Sequence, residues 1–441
     1  MLTRHPRPGE VKTRIAAELG ADAALRIHNA MATHTLAQLR ALTACKEARI
    51  EVRTDAAFVH ASREWLGAGP RYRYQGEGDL GSKLMTAFAE SFDRGDESVV
   101  VVGSDCPYLT AGHLRAAFAA LVGHDLVVGP AEDGGYYLIG ITRQAAARAI
   151  PGVFTGIAWG SIDVRTQTLN AAERQGMTVS LLETLADVDR AEDVPAAEAY
   201  LAERAIAADS AVSVVIPTLQ EAAHVQAAVC AALAGGADEV IVADGGSTDG
   251  TTEAAAAAGA RVVHSSAGRA SQMNAGAAEA RGAVLCFLHA DTVLPVGYAS
   301  AVRAALREPG VAATAFRFAV SDTGWRARAI ALAGSLRWRL ERLPYGDQTI
   351  CVTAETFEAL GGFAEIPALE DYEFSMRLAR FGRIRLVDLD AVTSARTWTE
   401  HGLITPTLLN LAAITGFRLG VDPAVLASLR KRIAPGRQRS L

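Results

Sequence analysis

A chain of 441 residues, half of them hydrophobic and with charges of both signs spread throughout, is long enough for two or three globular cores and too apolar for general disorder. A formal charge of -6 argues against nucleic acid as the main partner, because phosphate-backbone binding needs a basic face. Five cysteines, odd in number, widely spaced and without a C-x-x-C, argue against a disulfide framework and a zinc site and fit a reducing cytosol.

The first segment, Met1 to Arg14, carries charges and prolines but no apolar run, so it does not read as a secretory signal. From Thr3 to Arg14 it forms a basic loop containing Pro6, Pro8 and Gly9 that leads into a helix. Loops of this kind cradle phosphates through backbone N–H groups and cationic side chains. Strands are predicted at Ser98–Gly103 and Asp125–Gly129, and a helix at Ala191–Ala208 closes the series. Short β-branched runs alternating with alanine-rich helical segments predict βα units around a mainly parallel sheet.

The polar motifs of this half are Gly103-Ser-Asp105-Cys-Pro107, Asp133-Gly-Gly135-Tyr136, Trp159-Gly160 and Asp187-Val-Asp189-Arg-Ala-Glu-Asp193. Over residues 3 to 200 they resemble a bacterial domain related to sugar-phosphate and molybdenum-cofactor nucleotidyltransferases. The resemblance implies Lys12 and Arg14 at a triphosphate, Asp105 with Asp187 or Asp189 at magnesium, and Asp133 to Tyr136 at a second substrate. Two carboxylates on one cation suit a step in which pyrophosphate leaves. In one departure from that pattern, the strand expected ahead of the phosphate loop is reduced to Met1-Leu2. The competing reading of this half is a scaffolding domain.

A second series starts near Ala207–Ala211, which sets expected domains of 1–206 and 207–441. Its strands are predicted at Val212–Ile216, Glu239–Ala243, Arg261–His264 and Val284–Leu288. Pro217-Thr-Leu-Gln-Glu221 ends the first strand and opens a helix. Asp244-Gly245-Gly-Ser247-Thr248-Asp249 puts a carboxylate at a strand end, two glycines where a ligand must approach the backbone, and three helix-start residues after them. Both halves place an aspartate just past their most apolar strand, Asp105 and Asp291, where open α/β sheets bind ligands.

Pro217-x-x-x-Glu221, the Asp244 turn, Gly268-Arg269-Ala-Ser-Gln272-Met-Asn274-Ala-Gly276 and His289-Ala-Asp291 follow in that order. They resemble the inverting family-two glycosyltransferases, which have a GT-A fold. With the later Tyr345-Gly-Asp347-Gln348 they are similar to the arsenosugar-biosynthesis type, over nearly all of residues 212 to 430.

The resemblance implies two tandem GT-A/Rossmann-like nucleotide-binding domains of α/β class, with mixed, mainly parallel sheets flanked by helices. It implies a donor-nucleotide site of Pro217, Glu221, Asp244, Gly245, Arg269 and Asn274, and a UDP- or GDP-sugar as donor. Asp291 with His289 would hold a divalent ion, Mg or Mn. His289 replaces the family's usual first metal aspartate, and an imidazole suits manganese.

Leu369-Glu370-Asp371-Tyr-Glu373-Phe374 reads as the start of an amphipathic helix with Leu369, Phe374 and Leu378 on the core. Acids in a first helical turn are also stabilised by the macrodipole, with no chemistry required. The resemblance makes Asp371 the base that takes the acceptor proton, with Glu370 as the second choice, and puts Asp347 and Gln348 by the acceptor or donor sugar.

Trp325 to Leu343 spells a basic amphipathic helix that either packs its apolar stripe on the core or meets an anionic surface. Arg396 and His401 are further candidates for the site lining. Gly402–Phe417 falls short of the roughly 20 apolar residues of a spanning helix and reads as a core or interfacial helix.

The expectation is therefore a cytosolic enzyme, or one at the inner membrane face. It would transfer sugar to a small-molecule or lipid acceptor, with no nucleic acid and a second, nucleotidyl-transferring domain ahead of it. The alternatives are a lipid or carotenoid glycosyltransferase at the membrane surface and a non-catalytic nucleotide-binding scaffold. A dinucleotide-dependent oxidoreductase ranks far lower, because no G-x-G-x-x-G follows a first strand.

Overall fold

The computed structural model describes residues 1–67, 69–204, 209–308, 310–321, 338, 341–394 and 404–433. The chain divides into two compact units, Met1–Glu203 and Arg204–Leu441, each of mixed α/β class.

The first unit has strands β1 (Glu51–Thr54), β2 (Arg71–Tyr74), β3 (Ser98–Val102), β4 (Leu126–Pro130), β5 (Tyr136–Thr142) and β6 (Val179–Leu181). β1 and β2 pair in parallel, and a four-stranded sheet runs β3-β5-β4-β6. The short link from Pro130 to Tyr136 cannot make a parallel crossover, so β5 folds back antiparallel on β4 and then on β3. This hairpin makes the sheet mixed where alternation alone predicted a mainly parallel one.

Residues 1–3 join the two sheets. Leu2 N–H donates to Val102 of β3, while Arg53 N–H of β1 donates to Met1 and Thr3 N–H to Arg53. The strand that looked too short is thus held on both edges. The core of this unit gathers Leu84, Phe88, Leu126, Val128, Ile139, Ile141 and Phe154.

The second unit is built on an eight-stranded sheet. Its strands are β7 (Val212–Thr218), β8 (Glu239–Asp244), β9 (Arg261–His264), β10 (Val284–Phe287), β11 (Thr292–Val293), β12 (Val311–Val320), β13 (Ile350–Thr353) and β14 (Arg383–Thr393). The order is β11-β14-β12-β13-β10-β7-β8-β9, with β10-β7-β8-β9 parallel and β13 antiparallel to both its neighbours. Val212, Val214, Val215 and Ile216 are fully buried, and each such side chain contributes about 1.5–3 kcal/mol on leaving water. The helix Arg269–Ala278 lies close on β7 because Gly276 faces Val215, where any side chain would collide.

Some expected boundaries move. The helix after β8 is Thr251–Ala257 and starts behind Gly250 rather than at Ser247–Asp249. Asp249 instead accepts from the backbone of Ala222 and Thr251. The helix after β7 begins at Val225, not at Glu221. The segment expected as a core or interfacial helix forms Ile404–Arg418 and is followed by Pro423–Ile433. Their Ala413, Ile414 and Leu426 pack with Leu343, Leu369 and Tyr372. Among the described residues no helix is long and apolar enough to cross a membrane. Most of the basic segment Trp325–Leu343, with Arg396 and His401, lies outside the described residues.

Candidate functional sites

In the second unit, polar groups gather past the ends of the parallel strands. Asp244 ends β8 and is 1% exposed. Its carboxylate accepts from Thr218 Oγ1 (3.1 Å), Gly246 N (2.9 Å), Ser247 N (2.8 Å) and the Ser247 hydroxyl. Burial alone would raise its pKa, but the Ser247, Gly246 and Thr218 hydrogen bonds outweigh that and hold it below the usual carboxylate value. Asp244 therefore shapes the turn, and what it offers a ligand is the backbone it orders.

Gln272 closes the floor of this turn by donating to the Thr218 and Ala243 carbonyls. Gly245 lies against Gln272, and Pro217 sits in β7 opposite Ala243. Glu221 is nearly buried; its backbone N–H donates to Thr251 Oγ1 and its carboxylate stands 3.2 Å from His224 Nδ1. Asn274, expected at the nucleotide, turns its amide to a neighbouring loop. Its amide both donates to and accepts from the Phe363 backbone at 2.9 Å, pinning the 361–363 loop to the helix Arg269–Ala278.

A second group lies at the N-terminus of the helix Glu370–Phe381. Asp371 Oδ2 accepts from Gly346 N (2.6 Å) and Oδ1 from Tyr372 N (2.7 Å). Glu370 is buried and lies 3.6 Å from Arg269 Nη1. A side chain at Gly346 would collide with the His289 imidazole and come within 3.1 Å of Asp371 Oδ2, so residue 346 is wedged between the two. Burial first, and the Arg269 charge second, push the His289 pKa well below the usual value, which leaves a neutral ring with a lone pair.

Arg269, His289, Gly346 and the Glu370–Asp371 pair, from four distant stretches of chain, thus meet in one place. Asp291 anchors the same turn as His289, with its carbonyl accepting from Ser394 N and its carboxylate near Thr393 Oγ1. Gln348 is spent on the fold, donating to the Phe316 carbonyl and accepting from Tyr345 N, while Asp347 stays half-buried on the same 3-10 turn. The wedge at Gly346 was missed in the sequence, where only the surrounding motif stood out.

In the first unit a pocket of about 600 Å³ opens beside the 3–14 loop, lined by Arg4, Lys12, Arg14, Lys83, Asp105 and Asp189 among others. Lys12 is almost buried. Its ammonium lies 2.8 Å from Asp105 Oδ1, 3.1 Å from Asp189 Oδ1 and 2.6 Å from the Val188 carbonyl. Burial alone would lower its pKa, but Asp105 and then Asp189 outweigh this and raise it. Arg14 reaches Asp189 at 3.5 Å.

Asp133, Asp187 and Asp189 bring carboxylate oxygens within 4.8 Å of one another, the one such cluster of three among the described residues. Asp105, expected at the cation with Asp187 or Asp189, instead holds Lys12, and Asp133, expected at the second substrate, completes the trio. Burial, then Asp133 and Asp189, push the Asp187 carboxyl up to about 6. Lys83 was overlooked in the sequence; the turn Gly76-Glu-Gly78-Asp79 opening its helix, which Asp79 caps, is the signal that marks it.

Residues 37–161 match the family described as "Uncharacterized protein conserved in bacteria (DUF2064)", and residues 213–364 match "Glycosyl transferase family 2". No curated protein matches. Among solved structures, a putative nucleotide-diphospho-sugar transferase from Desulfovibrio desulfuricans G20 is 31% identical, over 43% of this chain and 80% of that one, with a TM-score of 0.39. Glucosyl-3-phosphoglycerate synthase from Mycobacterium tuberculosis, in complex with Mn2+, UDP and glucosyl-3-phosphoglycerate, is 25% identical over 42% and 71%, with a TM-score of 0.33.

Proposed function

Since the chain carries a glycosyl transferase family 2 domain behind a DUF2064 domain, we propose that its second unit moves a sugar from a nucleotide-diphosphate sugar to an acceptor hydroxyl with inversion. The observation that carries this reading is the convergence of Arg269, His289, Gly346, Glu370 and Asp371. The Asp244 turn, with Glu221 and Gly245, receives the nucleoside of a UDP- or GDP-sugar. Arg269, at the first turn of its helix, faces the diphosphate.

Asp371 is the base. Its two oxygens are held by amide hydrogens and retain lone pairs for a third partner. It takes the acceptor proton as the hydroxyl oxygen bonds to the anomeric carbon and the carbon–diphosphate bond breaks on the opposite face. Glu370 balances Arg269 and is the second choice. Asp347, on the neighbouring turn, faces the acceptor or donor sugar.

His289 and Asp291 fit a divalent cation, Mg or Mn, since burial keeps the imidazole neutral and Asp291 adds a carboxylate on the same turn. Such an ion neutralises charge on the departing diphosphate. The acceptor is a small molecule or a lipid.

For the first unit we infer nucleotidyl transfer to a sugar phosphate. Arg4, Lys12, Arg14 and Lys83 line a pocket suited to a triphosphate, and Asp133, Asp187 and Asp189 present an all-oxygen donor set suited to magnesium. Pyrophosphate release from a nucleoside triphosphate and a sugar phosphate, lost in Asp187→Asn, is the expected result. No release with any pair would leave the scaffold reading.

Calorimetric titration of UDP and GDP into the full chain, with and without Mn2+, tests the donor site. The expected result is metal-dependent binding of one diphosphate, lost in Asp291→Ala and kept in Asp187→Asn. Binding that is lost in Asp187→Asn and kept in Asp291→Ala would move the diphosphate to the first unit and overturn the assignment.

A further inference from the structure

The helices Ile404–Arg418 and Pro423–Ile433 each bury one side in the cluster around Leu369 and Tyr372 and leave the other side bare. On the bare sides Leu411 is 57% exposed, Val425 49% and Leu429 45%, and Leu419, in the turn between the helices, is 80% exposed. Polar residues normally fill such positions on a helix that ends in water, so a run of four large apolar side chains needs a cover.

Charge identifies the cover. Residues 404–433 contain Arg418, Arg430, Lys431 and Arg432 against the single acid Asp422, in a chain whose overall charge is -6; Arg418 is turned inward onto Tyr372 and Glu341, so the surplus rests on the other three. Three of the four bases close the second helix, directly after Leu429. A second copy of this chain would bring like charges together across the face. An apolar stripe with basic residues at its end instead matches the boundary of an anionic bilayer, where leucines enter the acyl edge and Lys and Arg meet headgroups.

We propose that this helix pair is a peripheral docking surface for an anionic lipid membrane. The pair lies in the plane of the interface, and neither helix spans the membrane. The same apolar cluster holds Leu369 and Tyr372, the residues on either side of Glu370–Asp371, so the docking surface is built onto the segment that carries the proposed base. The inference rests on exposure and charge and stands apart from the donor chemistry.

Co-sedimentation of the full chain with vesicles tests it, comparing phosphatidylcholine alone with phosphatidylcholine containing phosphatidylglycerol. The protein should pellet with the anionic vesicles and be released by salt. Affinity should fall roughly tenfold in Leu419→Ser/Leu429→Ser, which removes two exposed side chains and no core contact. It should fall roughly fivefold for each base removed among Arg430→Gln, Lys431→Gln and Arg432→Gln. Equal pelleting with neutral vesicles, no pelleting with anionic ones, or affinity unchanged in both sets of variants would overturn the proposal. So would a dimer that dissociates in the serine variant, which would give the face to a second copy.

Discussion

Asp371 carries the sharpest residue-level expectation. Asp371→Asn keeps the size of the side chain and an oxygen for the Gly346 amide but removes the base. Transfer should fall by roughly 10²–10⁴ with nucleotide affinity nearly unchanged, while the Tyr372 N–H, left facing an NH2, should cost about 1–3 kcal/mol of stability, as read by initial rates beside calorimetry and thermal melting. A variant with full turnover would leave Glu370 as the base. The acidic pair was readable in the sequence because acids at a helix start stand out. The wedge at Gly346 was not, since its meaning depends on His289 and Asp371, which lie far from it in the chain.

Asp187 supplies the pH dependence. Burial and two neighbouring carboxylates raise its pKa from 3.8 to about 6, so the folded state favours the protonated form. That contribution to stability is full below pH 3.8 and is lost as pH rises through about 6. Cation affinity runs the other way, because it needs the charged form. Mn2+ binding to the first unit should weaken by about tenfold for each pH unit below that pKa, and Asp187→Asn should flatten the profile. An affinity that stays level from acid to neutral pH would sink the assignment of Asp187 to the cation. Asp105, which the resemblance puts at the cation, pairs with Lys12, while Asp133 lies with Asp187 and Asp189. Which carboxylates face one another depends on where Lys12 is buried, and that is a tertiary fact.

At the scale of elements, the four parallel strands of the second unit were readable because uninterrupted β-branched runs bounded by glycine and proline admit few other structures, whereas β11 to β14 were not among the expected strands. Ends were less readable. The Ser247 hydroxyl accepts from the Gln220 N–H and the Asp249 carboxylate from the Thr251 N–H, so the helix starts at Thr251, beyond the apparent cap residues Ser247–Asp249. Asn274 shows the same competition between roles, a motif residue whose amide joins a helix to a loop 89 residues on. Asn274→Ala strands the Phe363 N–H and C=O and should cost about 1–3 kcal/mol, seen as a lower denaturant midpoint at unchanged slope. UDP or GDP affinity should change little. A large loss of affinity at unaltered stability would return Asn274 to the nucleotide.

For the molecule as a whole, the restart of the βα pattern near residue 211 was the readable signal of a second core, and the chain divides between Glu203 and Arg204. Mixed pairing within each unit was harder to see, because the β4–β5 hairpin depends on the length of one loop rather than on hydrophobic alternation. The join made by residues 1–3 was read as a shortened strand, yet three backbone hydrogen bonds make it the meeting line of two sheets. Leu2 and Thr3, with Val101 and Val102 of the adjoining β3, also line the pocket of the first unit. The amides of so short a ladder report the free energy of its local opening as an exchange rate. A nucleoside triphosphate bound in that pocket, as proposed, would rest against residues 2–3 and β3. It should therefore slow deuterium uptake at Leu2, Thr3 and Arg53 well beyond any slowing in β7 and β8, making the seam a timer for occupancy of the pocket.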